Sequence, residues 1–191
     1  GYMAVGPMDL GENPRRDIVL TLEDMGFMVE SSHHEKSPGQ QGIYFREAEA
    51  LAIADSVVTF RSAVRSTARR FGLHATFMPK PKKGEAGSGM HMNFSIYKDG
   101  RSIFNPVDEG IRQEAGWFMG GIMNHARGMC AVTNPLVNSY KRINSGFEAP
   151  KDIAWSLKNE NALLRLHSVA GEDTKVEVRF PDSSANPYLT I

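Results

Sequence analysis

Four side chains in this sequence are of the types that hold a hard divalent cation: Glu30, Glu35, His91 and Glu177. Carboxylate oxygens with an occasional imidazole suit Mg²⁺ or Mn²⁺, which keep waters and leave room for substrate phosphates. Arg142, Arg165 and Arg179 add planar guanidinium groups suited to bidentate carboxylate or phosphate binding. All of these lie far apart in sequence, so spacing alone does not join them, and each taken singly reads better as an ordinary polar or ion-pairing group. Glu177 and Arg179 stand two apart on a predicted strand and share a face. The plain alternative there is a surface ion pair worth at most ~1 kcal/mol. His33 and His34 do not make a zinc pair, because adjacent strand residues point to opposite faces and no partner follows at ligand spacing.

The densest run of chemistry is 77–91, Phe-Met-Pro-Lys-Pro-Lys-Lys-Gly-Glu-Ala-Gly-Ser-Gly-Met-His. Pro79 and Pro81 keep its backbone out of a helix. Gly84, Gly87 and Gly89 let backbone approach a ligand, and Lys80, Lys82 and Lys83 supply charge for an anion. The run ends on His91, a metal-ligand or acid–base type. It contains no G-x-x-x-x-G-K-[ST] pattern, and by composition alone a solvated loop competes with a phosphate site.

The elements around it decide how these groups are presented. Helices are predicted from Pro14 to Gly26, over 47–71 and from Asp108 to about Met129. The second carries a stripe of Leu51, Ala54, Val58, Arg61, Val64, Ala68 and Phe71, with Arg61 its polar interruption. Strands are predicted at 27–32, 43–45, 73–78, 90–97, 101–104, 153–156, 163–166 and 174–180, with Asp99-Gly100 as a hairpin turn. The run 77–91 therefore joins two strands, which can present its groups rigidly. The stretches 161–165 and 176–180 alternate charged and apolar residues, so their polar sides can line one surface. The polar stretch 133–150, with Lys141, Arg142 and Glu148, reads as a long loop of the functional kind.

Length and composition bound the rest. The 191 residues suffice for one substantial domain, and 41% hydrophobic with 23% charged residues is ordinary for a globular protein. Lys+Arg and Asp+Glu both total 22, which gives no electrostatic case for nucleic acid or an anionic membrane. Cys130 is the only cysteine, so no intrachain disulfide forms, and a cytoplasmic location fits. No signal peptide or long apolar run is visible, and the start at Gly1-Tyr2-Met3 reads as a piece of something longer.

Together the motifs resemble the catalytic domain of the glutamine synthetase family. The runs that carry the resemblance are 30–35 (Glu-Ser-Ser-His-His-Glu), 38–40 (Pro-Gly-Gln), 75–81 (Ala-Thr-Phe-Met-Pro-Lys-Pro) and 87–91 (Gly-Ser-Gly-Met-His). They continue with 133–135 (Thr-Asn-Pro), 138–142 (Asn-Ser-Tyr-Lys-Arg), 146–150 (Gly-Phe-Glu-Ala-Pro), 176–182 (Val-Glu-Val-Arg-Phe-Pro-Asp) and 184–189 (Ser-Ala-Asn-Pro-Tyr-Leu). The resemblance implies an α+β fold, a curved and mostly antiparallel sheet with helices on its outer face, present here as a partial domain over 1–191. It implies a glutamate–ammonia ligase: ATP phosphorylates the glutamate side chain and ammonia displaces phosphate, with Mg²⁺ or Mn²⁺ bridging the phosphates. Glu35 would bind one metal, and His91 and Glu177 another, with Glu30 an additional candidate. Arg142, Gly87 and Gly89 would meet the substrate glutamate. Arg165 and Arg179 would neutralise the transferring phosphoryl group, Arg165 also touching the nucleotide. Glu148 would help deprotonate ammonium, and His33 and Ser95 would lie near the nucleotide.

Four positions depart from the family pattern. Gly42 stands where a metal-binding glutamate is expected, and Glu160 where a phosphate-contacting arginine is expected. Ala86 replaces an asparagine of the Gly-rich loop, and Asn93 replaces the second histidine of a His-x-His. A reversed charge beside a polyphosphate costs several kcal/mol if buried, so impaired activity is expected. The resemblance also implies that a small N-terminal domain, the first catalytic strands and the C-terminal helices are missing from this chain, and that the whole protein forms a homo-oligomeric ring. Two alternatives stand beside the ligase: a non-catalytic homologue that keeps the fold for assembly or binding, and a γ-glutamyl ligase for another amine such as a polyamine.

Overall fold

The computed structural model describes residues 1–6, 9–106, 110–147, 149–167 and 173–191. In chain order the elements are α1 (Glu12–Asp24), β1 (Val29–His34), β2 (Gln41–Phe45), α2 (Ala50–Arg70), β3 (Met92–Phe94), β4 (Tyr97–Lys98) and β5 (Arg101–Ser102). They continue with α3 (Gln113–Thr133), α4 (Val137–Ile143), β6 (Asp152–Ser156), β7 (Ala162–His167), β8 (Lys175–Val178) and α5 (Pro187–Thr190).

Among the described residues three sheets form: β1 with β2, β4 with β5, and a four-stranded sheet in the order β3-β8-β7-β6. Every pairing is antiparallel except β6 with β7, so the fold is α+β with mostly antiparallel sheet. The alternation predicted for β8 is what builds the central sheet. Val176 and Val178, continued by Phe180, pack with Leu164 and Leu166 of β7 beneath Ala115, Met119 and Ala126 of α3. Period-two alternation turns Glu177 and Arg179 to the opposite face, and the register sets Arg165 and Asn93 on either side of Glu177. One sheet face is core and the other carries the charged site. The β4–β5 hairpin turns on Asp99 (φ 52) and Gly100 (φ 74), the two positive φ values that a type I′ turn needs.

The structure corrects several expected elements. Residues 133–150 are not one loop, because they contain α4. Its inward residues Ser139 and Arg142 are polar, so no apolar stripe announces it. Residues 73–78 join no ladder, and 90–97 divides into β3 and β4. The helix expected from Asp108 begins at Gln113, and Asp108 itself lies outside the described residues. On α2 only Ala54, Thr67 and Ala68 are buried, while Leu51, Val58 and Phe71 of the expected stripe are exposed. Arg61 is the informative member of that stripe: its Nη2 donates to Ala185 O at 2.8 Å, and its guanidinium lies over the Phe77 ring.

Candidate active site

The run 77–91 is clamped from three sides. Asn138 of α4 takes the Lys80 N–H on Oδ1 (2.7 Å) and donates from Nδ2 to Lys80 O (3.1 Å). From the β1–β2 connection, Ser37 Oγ donates to Ala86 O and Gln40 Nε2 to Gly87 O, each at 2.9 Å. After β8, Pro181 O accepts from the Met90 N–H (3.0 Å), and Ser183 Oγ donates to Phe77 O (2.8 Å). Pro79 and Pro181 are fully buried. Gly87 and Gly89 are glycine because backbone and side chain crowd them. A Cβ at Gly87 would lie 2.5 Å from Pro79 O, and one at Gly89 2.6 Å from Arg142 Nη2 and 3.1 Å from His91 Nε2.

Beside this run, Glu177 gathers the charged face. His91 Nδ1 lies 2.9 Å from its Oε1, Arg179 Nη1 donates to Oε2 at 2.9 Å, and Arg165 Nε is 2.7 Å from Oε2. Burial alone would raise the Glu177 carboxyl. The hydrogen bond and charge of His91, followed by the charges of Arg179 and Arg165, win and hold it at about 2. His91 is pushed down, first by loss of water around the ring and then by Arg179 and Arg142. The His91–Glu177 hydrogen bond and the Glu177 charge oppose that fall. A cation shared by this nitrogen and oxygen would displace the proton between them. Arg165 Nε is buried and lies 2.7 Å from Glu177 Oε2 without an aligned hydrogen bond, so it meets that carboxylate as an ion pair.

Arg142 is buried, and burial draws its guanidinium down to about 10, still cationic at neutral pH. It serves the framework first: Nη1 donates to the Phe180 and Pro181 carbonyls and Nη2 to that of Arg179. A substrate carboxylate would have to use the donors these bonds leave. Glu35 forms a separate cluster, its Oε1 3.0 Å from His33 Nε2 and 3.2 Å from the Tyr44 hydroxyl.

Other expected site residues sit apart. Ser95 Oγ donates to Glu47 Oε2, which also pairs with Lys175. Glu30 is exposed at the β1 irregularity, and Glu148 lies outside the described residues. Among the described residues no group of three His, Cys, Asp or Glu side chains converges, so the metal candidates stand as the pair His91–Glu177 and, apart from it, Glu35. The pair offers an oxygen and an imidazole nitrogen, and Glu35 an oxygen, all of which a hard divalent cation accepts while keeping water and phosphate ligands. The side chain of Glu160 is 52% exposed and sits 3.8 Å from Arg165, so the severe cost of a buried like charge does not apply.

Sequence reasoning assigned no role to Tyr44, Asn138 or the buried pair Asn134 and Asp182. Asn134 Nδ2 donates to Phe180 O and Asp182 Oδ2, and Asp182 accepts from the N–H and hydroxyl of Ser184. Their signal was present in the runs 133–135, 138–142 and 180–182, but not what each side chain binds.

The sequence model for "Glutamine synthetase, catalytic domain" matches residues 1–191. The chain belongs to the glutamine synthetase catalytic-domain family. It is 52% identical to glutamine synthetases of Clostridium saccharobutylicum and Staphylococcus aureus strain MW2, with all of this chain covered and 44% and 43% of theirs. It thus spans under half the length of those curated relatives. Among solved structures, Plasmodium falciparum glutamine synthetase superposes with a TM-score of 0.93 at 33% identity, over 100% of this chain and 38% of that one. A GmaS–ADP complex superposes at 0.81 with 35% identity, over 93% and 42%. These likenesses support the expected fold and its being a partial domain.

Proposed function

We propose that the protein to which this chain belongs is a glutamate–ammonia ligase: ATP phosphorylates the glutamate γ-carboxylate, ammonia attacks the acyl phosphate, and inorganic phosphate leaves. The observation that carries this reading is the Glu177 cluster, where a carboxylate held ionised at about 2 meets an imidazole and two guanidiniums beside the clamped run 77–91. Arg165 and Arg179 compensate charge on the transferring phosphoryl oxygens. Gly87 and Gly89 bring backbone to glutamate, and Arg142 meets its α-carboxylate. Glu148 takes the proton from ammonium, and His33 and Ser95 lie towards the nucleotide. Mg²⁺ or Mn²⁺, when bound at His91–Glu177 and at Glu35, would supply Lewis-acid charge to the phosphates. ADP in the GmaS complex supports a nucleotide substrate. A cytoplasmic homo-oligomeric ring belongs to the same reading, with no nucleic-acid or membrane partner.

Activity is reduced at the Glu35 metal, because Gly42 contributes no carboxylate there. The test is ATP- and Mn²⁺-dependent glutamine formation by the intact protein: slow turnover supports this reading, and full family-level turnover removes the impairment. The second reading, a non-catalytic homologue, draws on one observation. Glu35 Oε1 is already engaged by His33 and Tyr44. Calorimetry with a non-hydrolysable ATP analogue and Mn²⁺ decides between them, since no heat of binding supports the non-catalytic role.

A further inference from the structure

Gly42 sits inside β2 opposite His33, in a stretch of regular antiparallel ladder. Its backbone is not in the left-handed region, so conformational freedom is not what calls for glycine here. Space is. A Cβ at position 42 would lie 2.5 Å from Glu35 Oε1 and 3.2 Å from the Tyr44 ring. The first separation is shorter than carbon and oxygen tolerate without one of them moving. The volume left by the missing side chain is where the Glu35 carboxylate rests.

Two neighbours fix the carboxylate in that seat. The Tyr44 hydroxyl donates to Glu35 Oε1 at 3.2 Å, and His33 Nε2 reaches the same oxygen at 3.0 Å. The Tyr44 and His33 rings stack on each other, with centroids 5.2 Å apart and planes 18° from parallel, and Tyr2 meets the His33 ring edge-on at 5.9 Å. The ring stack holds both donors in place relative to Glu35. Oε2, by contrast, has no hydrogen bond or ion pair among the described residues.

We propose that Tyr44 is a positioning residue that, in the space provided by Gly42, fixes Glu35 Oε1 so that Oε2 alone is presented to a divalent cation. This rests on the reading of Glu35 as a metal ligand. Hydrogen bonds to a ligating carboxylate orient it, and their loss lowers metal affinity. Gly42 and Tyr44 then act together: glycine removes the clash, and the tyrosine hydroxyl replaces an unrestrained carboxylate with a fixed one.

The experiment is Mn²⁺ titration of the intact protein, following free Mn²⁺ by its paramagnetic resonance signal, in the parent, E35Q, Y44F and G42A. E35Q identifies which Mn²⁺ site belongs to Glu35. At that site Y44F is expected to bind about tenfold more weakly, with circular dichroism and melting temperature close to the parent, because Tyr44 is 44% exposed and its ring stack survives the change. G42A is expected to weaken the same site by pushing the carboxylate from its seat while keeping the Tyr44 hydroxyl. Equal or tighter Mn²⁺ binding in Y44F overturns the proposal, as does G42A binding like the parent. If Mn²⁺ binds but E35Q changes nothing, the ligand reading of Glu35 fails instead. If the parent binds no Mn²⁺, both fail.

Discussion

Glu160 and Glu177 show how differently two carboxylates act on the same arginine. Glu160 is half exposed and 3.8 Å from Arg165, so its pull is worth about 1 kcal/mol at most. E160Q is expected to free Arg165 and lower the KM for ATP severalfold at most, read from initial rates; an unchanged KM would place Glu160 away from the nucleotide. Glu177 is buried among His91, Arg165 and Arg179, and its folded-state value of about 2 lies below its ordinary 4.5. A depressed carboxyl stabilises the fold above its unfolded value, and that contribution drains away as pH falls from about 4.5 towards 2. Melting temperature measured across this window should therefore fall more steeply in the parent than in E177Q. E177Q itself should cost about 3–5 kcal/mol at neutral pH by leaving buried cations unpaired. The alternation of 176–180 made the pairing of Glu177 with Arg179 legible in the sequence. The role of Tyr44 was not, because nothing in the sequence shows that its ring crosses to His33 and its hydroxyl to Glu35.

At the scale of elements, the long helices and the hairpin were legible because each carries a local signal, whether apolar periodicity, a helix stop or Asp-Gly. The strand expected at 73–78 failed because strand composition does not supply a partner, and 73–78 join no ladder. α4 was missed for a related reason: its buried face consists of Ser139 and Arg142, which bind backbone and hydroxyl groups rather than a core. It matters because Asn138 on the same helix holds both the N–H and the C=O of Lys80. N138A is expected to cost about 1–3 kcal/mol and to speed proteolysis within 77–91, whereas a cost without any local loosening would show that the clamp is redundant. In the sheet, L164A removes a side chain with no exposed surface and is expected to cost about 2–5 kcal/mol, checked by urea unfolding.

At the scale of the whole molecule, several large apolar side chains stand in water on the described surface. Trp117 (66%), Val137 (81%), Leu157 (63%) and Leu189 (65%) all stand exposed. The chain spans only 43–44% of the length of its curated relatives. Expressed by itself, the 191-residue chain is expected to bind a hydrophobic dye strongly and to self-associate, seen by fluorescence and light scattering; a dye-silent monomer would show that these patches are tolerated in water. No helix among the described residues is long and apolar enough to cross a membrane.

The tethering of 77–91 also has a mechanical consequence. The Ser88 and Met90 amides are bonded to Pro79 O and Pro181 O, and Arg142, pressed against Gly87 and Gly89, is bonded in turn to the carbonyls of 179–181. The Gly-rich stretch therefore cannot swing like an ordinary surface loop. It moves only if the chain leading out of β8 moves with it. Amide hydrogens at Ser88 and Met90 should exchange at rates nearer those of a strand than of a loop, even though three glycines lie within eight residues of one another. This wall of the charged cluster behaves as its floor.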